Sequence, residues 1–444
     1  MHELVSRLRQ SASFKVAVIG FLILVLLIPL AMIKDVIAER DQTGQMAKFD
    51  IYQTWGGNQL VAGPVLVIPY DVPGTTHSGV EYKSRQHIYL LPQSLDIDAD
   101  VSAETRARGM FEVPVYTAQI LLRGQFSDLD VSQLKVTDEA IDWAGAFIAI
   151  GVMDGRAITE IPVAIIAGEM VRFEAGGDPV AGLPPQIVAP IGKILARAER
   201  PSPLAFRIDL ALKGSESLKF LPAGDTTNVA LRSSWPSPSF SGNYLPEGHD
   251  IDASGFNAHW KVSSIGRAFP SRWTDASGAG SAAGQAAFGV DLYMPISIYR
   301  LTERAAKYGI LFIGLTFVSY FLFEVVAALR LHPLQYLLVG LANCLFYLLL
   351  ISLAEHIGFG WSYVLSCIAS AALIVGYSHS LLGSRGRAVI MALVLGLLYC
   401  FLYLTLNAET YAMLAGAIGL WVTLAVIMYL TRRIDWYGKR DVPG

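Results

Sequence analysis

Cysteine is scarce in this sequence. There are 3 in 444 residues, Cys344, Cys367 and Cys400, and all three stand inside long apolar runs. Residues 34–307 have none. That block therefore has no disulfide framework and no thiolate zinc site, and its stability rests on the core its own length can build. Charge is sparse too. Charged residues make up 16% of the chain and the net charge is −3. No basic block stands away from the apolar runs, which removes the usual electrostatic footprint of a nucleic-acid partner. Catalytic signatures are also missing. The chain has no Gly-x-Ser-x-Gly, no His-Glu-x-x-His and no phosphate loop.

What the chain has is apolar length. Hydrophobic residues reach 53% and the mean hydropathy is +0.45. The excess sits in Phe14–Ile33, Tyr308–Leu329, Leu334–Leu353, Trp361–Leu382, Ala388–Leu406 and Tyr411–Leu430. Each run is long enough to cross a hydrocarbon core of ~30 Å as a helix. Lys and Arg set the orientation. Arg7, Arg9 and Lys15 precede or open the first run, Arg330 follows the second, and Arg385 and Arg387 lie between the fourth and fifth. Arg432, Arg433, Lys439 and Arg440 follow the sixth, whereas Ala354–Gly360 and Asn407–Thr410 carry neither residue type. The expected layout has both termini cytoplasmic: residues 1–13 inside, a signal anchor at 14–33, a periplasmic block at 34–307, a five-helix bundle at 308–430 and a cytoplasmic tail at 431–444. A cleaved signal peptide is the competing reading of the first run. Its length and the Lys34-Asp35 that follows favour an uncleaved anchor.

Within the block, Met32 to about Gln53 reads as a helix ended by Trp55-Gly56-Gly57. Beyond it, short β-branched or alternating stretches predict strands at Val65–Tyr70, His87–Leu91, Gly109–Val115, Gln119–Phe126, Ala146–Met153, Phe206–Leu212, Asn228–Ser234, Phe256–Val262 and Val290–Ile298. Pro184, Pro185, Pro190, Pro201 and Pro203 mark an irregular join between two halves. Leu91–Ala99 and Leu245–Ala253 agree at six of nine positions, which suggests an internal duplication. Asp275–Gly289 reads as a Gly/Ser/Ala-rich linker. The fold class expected is an α+β membrane protein: six transmembrane helices, one N-terminal and five C-terminal, with a large inserted all-β periplasmic domain, sandwich-like and duplicated.

Few residues suggest chemistry. Ser132-Gln133-Leu134-Lys135 fits Ser-x-x-Lys and Ser241-Gly242-Asn243 fits a second element of penicillin-binding enzymes, but no Lys-Thr-Gly follows. His249, Asp250, Asp252 and His259 make a poor metal set and read as turn residues. Trp235, Phe240 and Tyr244, close to Trp260, form a candidate ligand surface for stacking on sugars; packing residues are the plainer reading. Inside the apolar runs, Glu324, His379 and Asn343 are candidate functional groups, because polar groups there are costly. Glu324 paired with Arg330 to fix topology, and Asn343 as interhelical glue, are the structural alternatives.

Several stretches together resemble the CreD family of inner-membrane proteins. They are Ile37-Ala38-Glu39-Arg40, Trp55-Gly56-Gly57 with Ala62–Val67, Arg108–Tyr116, Gly214–Leu218, Trp235–Phe240, and Leu301–Gly309 running on to Phe323-Glu324 and Leu331–Tyr336. The resemblance implies a bacterial inner-membrane protein with a periplasmic domain. It implies expression under a two-component system and links to envelope integrity, stress, colicin tolerance and β-lactam responses. No catalytic residue comes with it, although Glu324 matches the family pattern. The function expected is non-enzymatic and without a cofactor: a periplasmic domain that binds an envelope component or a membrane-protein partner. Two alternatives are a transporter or channel-like protein for a small molecule or lipid with a periplasmic cap, and a wall hydrolase. The lipid bilayer is the one partner the composition requires; the oligomeric state stays open.

Overall fold

The computed structural model describes residues 12–75, 81–109, 111–127, 129, 131–134, 136–178, 180, 183–197, 203–267, 269–275, 285–294, 298–326, 329, 331–408 and 412–432. Arg7, Arg9, Met110, Lys135, Pro201, Arg330, Glu409, Thr410, Arg433, Lys439, Arg440 and positions 276–284 of the linker lie outside these. The chain divides into two compact units, Met1–Gly44 with Ile296–Gly444, and Gln45–Pro295.

The first unit is helical. Helix α1 (Ala12–Trp55) starts in it and runs unbroken through Pro29. A short α2 (Gly192–Arg197) belongs to the second unit. The bundle then comprises α3 (Ile298–Lys307), α4 (Gly309–Val326), α5 (Pro333–Ile357), α6 (Phe359–Leu382), α7 (Arg385–Asn407) and α8 (Ala412–Thr431). Among the described residues, 4 helices are long and apolar enough to cross a membrane, or 5 if α3 and α4, bent by 42°, form one span. The helical region thus begins at Ile298, where a strand was expected. Strand hydrogen bonding stops at Leu292, and Ile298–Lys307 places its polar and apolar residues on opposite faces. His332 caps α5, accepting from the Leu334 amide, while Gln335 reaches back to the His332 amide and Pro333 opens the helix.

Small residues let these helices approach. Leu22, Leu26, Leu30, Ile33 and Ile37 make the buried stripe of α1. Leu26 seats against Gly340 of α5 and Leu30 against Gly309, positions where any Cβ would collide with the leucine. Helix α6 buries Ser362, Ser366, Ser370, Ile374 and Ser378, a four-residue period of small side chains.

The second unit is β-rich. Its strands are β1 (Gln59–Thr75), β2 (Glu81–Leu90), β3 (Ser94–Arg108), β4 (Phe111–Phe126), β5 (Phe147–Val152), β6 (Val163–Ile166), β7 (Glu169–Arg172), β8 (Glu174–Ala175) and β9 (Gln186–Pro190). They continue with β10 (Leu204–Ser215), β11 (Ser217–Phe220), β12 (Thr226–Ser233), β13 (Pro238–Gly242), β14 (Gly248–Asp252), β15 (Gly255–Ser263), β16 (Arg272–Thr274) and β17 (Phe288–Leu292). One sheet runs β13-β17-β11-β1-β5-β9-β8, with β2 on β1 and β16 on β2; the other runs β14-β15-β12-β3-β4-β10-β6-β7. Strands of the second sheet alternate. Leu95, Ile97, Ala99 and Val101 of β3 point inward, as do Val229 and Leu231 of β12 and Phe256, Ala258, Trp260 and Val262 of β15. The central β1 and β5 bury consecutive residues, Val65–Ile68 and Ile148–Ile150, because Leu129, Val131 and Ile141 join the same core beside them.

Among the described residues the two halves of the sequence do not form separate sandwiches. Both sheets draw strands from the two halves of the sequence and share one hydrophobic core. The similar segments fall in β3 and β14, two strands of a single sheet that run in the same direction. The proline-marked join is partly regular, since Gln186–Pro190 is a strand.

The chain switches sheets twice in quick succession. Between β10 and β11 the corner is Glu216, held at φ 58°, a conformation that disfavours any residue with a Cβ. Residues 221–225 then carry it back to β12. There Arg267, its side chain fully buried, donates to the carbonyls of Gly224 (2.6 Å) and Phe269 (3.1 Å), and to Asp225 (3.2 Å). Burial pulls the Arg267 guanidinium below its usual range, and the Asp225 carboxylate opposes that.

Candidate functional site

The β-rich unit carries a groove of about 1310 Å³. It is walled by Gln45–Gln53 of α1, Gly57–Leu60, the Met153–Arg156 turn, Glu216–Lys219 and Ala287. The Trp55-Gly56-Gly57 stop seats the helix there. Ser215 Oγ donates to the Gly56 carbonyl at 2.6 Å and Trp55 Nε1 to the Tyr116 carbonyl at 3.3 Å. Arg106 and Lys213 both lie over the Trp55 ring. Tyr52 reaches across the groove and donates to Glu216 Oε1 at 2.6 Å. Burial and then the Glu216 carboxylate push the Tyr52 phenol up, so it stays a neutral donor.

Most charges on the groove wall are matched. Arg156 donates to both oxygens of Asp154, at 3.0 and 2.8 Å, and this holds the Asp154 carboxyl below the usual range. Lys219 pairs with Asp291 at 3.4 Å, and Asp50 with Arg108 at 2.9 Å. What remains open is apolar and amide surface. Met46, Phe49 and Met153 are 68%, 59% and 49% exposed, beside Gln45, Gln53 and Asn58. Such a lining can hold an elongated molecule with an apolar part and hydrogen-bonding groups.

The sequence-derived aromatic surface lies elsewhere and is largely committed to packing. Trp235, Phe240 and Tyr244 lie half-buried against the core. Trp235 Nε1 donates to the Tyr293 carbonyl and the Tyr244 hydroxyl to the Gly266 carbonyl. Phe240 meets His249, Phe256 and Trp260 with its ring, and Trp260 is 2% exposed. His249 and His259 stand on the adjacent strands β14 and β15. Asp250 is exposed, and Asp252 accepts from the Ser254 amide and hydroxyl. Ser132 opens a single 3-10 turn.

A cluster with no local signature is His87. Its Nδ1 lies 3.1 Å from Asp275 and its Nε2 3.0 Å from Asp178, residues 188 and 91 positions away. Tyr89 donates to the second Asp275 oxygen at 2.5 Å, and burial followed by that bond pushes the Tyr89 phenol up.

In the helical unit the three intramembrane candidates separate. Glu324 is 4% exposed. It accepts from Lys15 Nζ at 2.7 Å, from the Tyr336 hydroxyl at 3.0 Å and from the Leu331 amide at 3.3 Å. Its cation thus comes from α1, 309 residues away. Asn343 is buried at 1% exposure, and neither of its amide atoms has a partner among the described residues. His379 is exposed on the bundle surface. At the other end of the same helices, Glu355 accepts from Tyr299 at 3.2 Å and lies 3.9 Å from Arg40. Lys15 to Arg40 spans roughly 37 Å of α1 and Tyr336 to Glu355 roughly 28 Å of α5. The two polar clusters therefore bracket about one hydrocarbon thickness.

Comparison with known proteins accords with this architecture. The family model described as "Inner membrane protein CreD" matches residues 11–437. Inner membrane protein CreD of Escherichia coli (strain K12) is 34% identical over 419 residues, which cover 94% of this chain and 91% of that protein. With its apolar helices and a match over nearly its whole length, the chain is a multi-pass inner membrane protein and belongs to the CreD family.

Proposed function

We propose that this protein serves envelope integrity and stress response by binding, without catalysis, an envelope component or a membrane-protein partner in the groove of its β-rich unit. In this reading six helices cross the membrane, both termini are cytoplasmic and residues 34–307 stand in the periplasm. The groove is the observation that carries it, with exposed Met46, Phe49 and Met153 beside a matched set of charges. The Lys and Arg distribution supports the orientation. The separation of the Lys15–Glu324 and Arg40–Glu355 clusters by about one bilayer core supports the reading of these helices as spans.

The transporter alternative in its sequence-derived form has less support. It needs Glu324, His379 and Asn343 to share a cavity. Glu324 is instead saturated by Lys15 and Tyr336, and His379 lies on the outer surface of the bundle.

The test is rescue of an envelope-stress defect, in cells lacking the protein, by a chain truncated after Lys307. The β-rich unit then hangs from α1 alone. Rescue at a normal protein level is the expected outcome. Failure at that level would move the activity to the bundle.

A further inference from the structure

We propose that the middle of the helical bundle binds water, at a site formed by Asn343, Tyr347 and Ser366. Three buried side chains carry the inference. Asn343 on α5 is 1% exposed, Tyr347 one turn further along is 0% exposed, and Ser366 on α6 is 0% exposed. Both amide atoms of Asn343, the Tyr347 hydroxyl and the Ser366 hydroxyl have no hydrogen-bond partner among the described residues.

The three groups stand within one helical turn of each other along the bundle. Ser370 Oγ donates to the Ala342 carbonyl at 3.0 Å, which sets the register between α5 and α6. The two helices run antiparallel around the Gly358 turn. Ser366 lies one turn nearer that turn than Ser370, so it is level with Tyr347, one turn beyond Asn343. Asn343 lies roughly 15 Å from the start of α5, and Tyr347 roughly 15 Å from its end. The site is therefore at mid-depth of a membrane-crossing pair.

Other hydroxyls nearby are satisfied. Tyr399 donates to Ser370 and Tyr363 to the Tyr399 carbonyl. Among the described residues of the bundle, the buried side-chain atoms without a partner are those of the trio. Its chemistry selects the ligand. The amide oxygen accepts, the amide nitrogen donates, and each hydroxyl does both. No Asp, Glu, Lys or Arg lies on α5 before Glu355 or anywhere on α6, so nothing favours an ion. An apolar molecule would leave all four atoms unpaired at the depth where that is most costly. Water is neutral, donates and accepts, and needs two to four polar partners. Such a site divides the path along α5 between Tyr336 and Glu355 into two stretches of roughly 10–12 Å.

The chain carries its own reporters. Cys344 follows Asn343 and is 3% exposed. Cys367 follows Ser366, and Cys400 is exposed on α7. The test uses the full chain in lipid nanodiscs, transferred to D2O, with infrared detection of the S–H stretch. Cys367→Ser and Cys400→Ser assign the bands. The expected result is conversion of the Cys344 and Cys367 bands to S–D while the lipid-facing Cys400 band persists. Asn343→Leu should slow that conversion at least tenfold. Ser366→Ala, the milder change on a helix already rich in small residues, should slow it as well and serves if Asn343→Leu does not assemble. Cys344 and Cys367 bands that persist as long as that of Cys400 would overturn the proposal. Conversion at an unchanged rate in the assembled variants would overturn it too.

Discussion

Replacing Lys15 by Met is expected to destabilise the helical unit by about 3–5 kcal/mol, the usual cost of leaving one charge of a buried pair without its partner. Glu324 is 4% exposed and, among the described residues, pairs with Lys15 as its cation. Tyr336 and the Leu331 amide remain as donors, but neither brings a positive charge. A carboxylate stranded there has lost its charge compensation in a buried site, which loosens α1 from α4. The double variant Lys15→Met with Glu324→Gln should recover most of the loss, because a neutral amide in the same place keeps the Tyr336 hydroxyl bonded. Thermal unfolding of the purified single and double variants measures the coupling. Equal losses in Lys15→Met and in the double variant would mean that the pair contributes nothing beyond the lysine's own packing.

A loss of similar size is expected in the β-rich unit from Arg267→Met. Its guanidinium donates to the Gly224 and Phe269 carbonyls and pairs with Asp225. Met keeps the volume but satisfies none of these acceptors. Buried carbonyls left without their donor cost about 1–3 kcal/mol each, so the change should cost about 3–5 kcal/mol in all, or roughly 10 °C in the transition of a domain of this size. Because the 221–225 crossover leads directly into β12, the loss should appear as faster amide exchange in β12 and its parallel neighbour β3. Protection of those strands at the native level would show that the crossover is held by other contacts.

The helices were legible because apolar length is a local property. Their partners were not. Arg330 is the cation nearest to Glu324 in sequence and lies outside the described residues; the cation seen on Glu324 comes from α1, which packs through Leu26 on Gly340. His379 looked like a polar group inside a span. The buried face of α6 follows Ser362, Ser366, Ser370, Ile374 and Ser378, and His379 sits about 100° around from it. That four-residue period was visible in the sequence and is the signal that separates the two faces. In the β-rich unit, alternation located most strands, but β1 pairs in parallel with β11 and β3 with β12. Such distant pairings follow from sheet changes at Glu216 and residues 221–225, and no local pattern encodes them. The groove was missed for the same reason, since Tyr52 meets Glu216 across 164 residues.

The claim that the groove carries the function is tested most directly in the full-length chain. Phe49→Asp combined with Met153→Asp places two carboxylates on its open apolar surface, where both side chains already face solvent. Met170→Asp, at a position 72% exposed and outside the groove, is the control. In cells lacking the protein, the control should rescue the envelope-stress defect and the groove variant should not, at equal protein level. Full rescue by the groove variant would contradict the account.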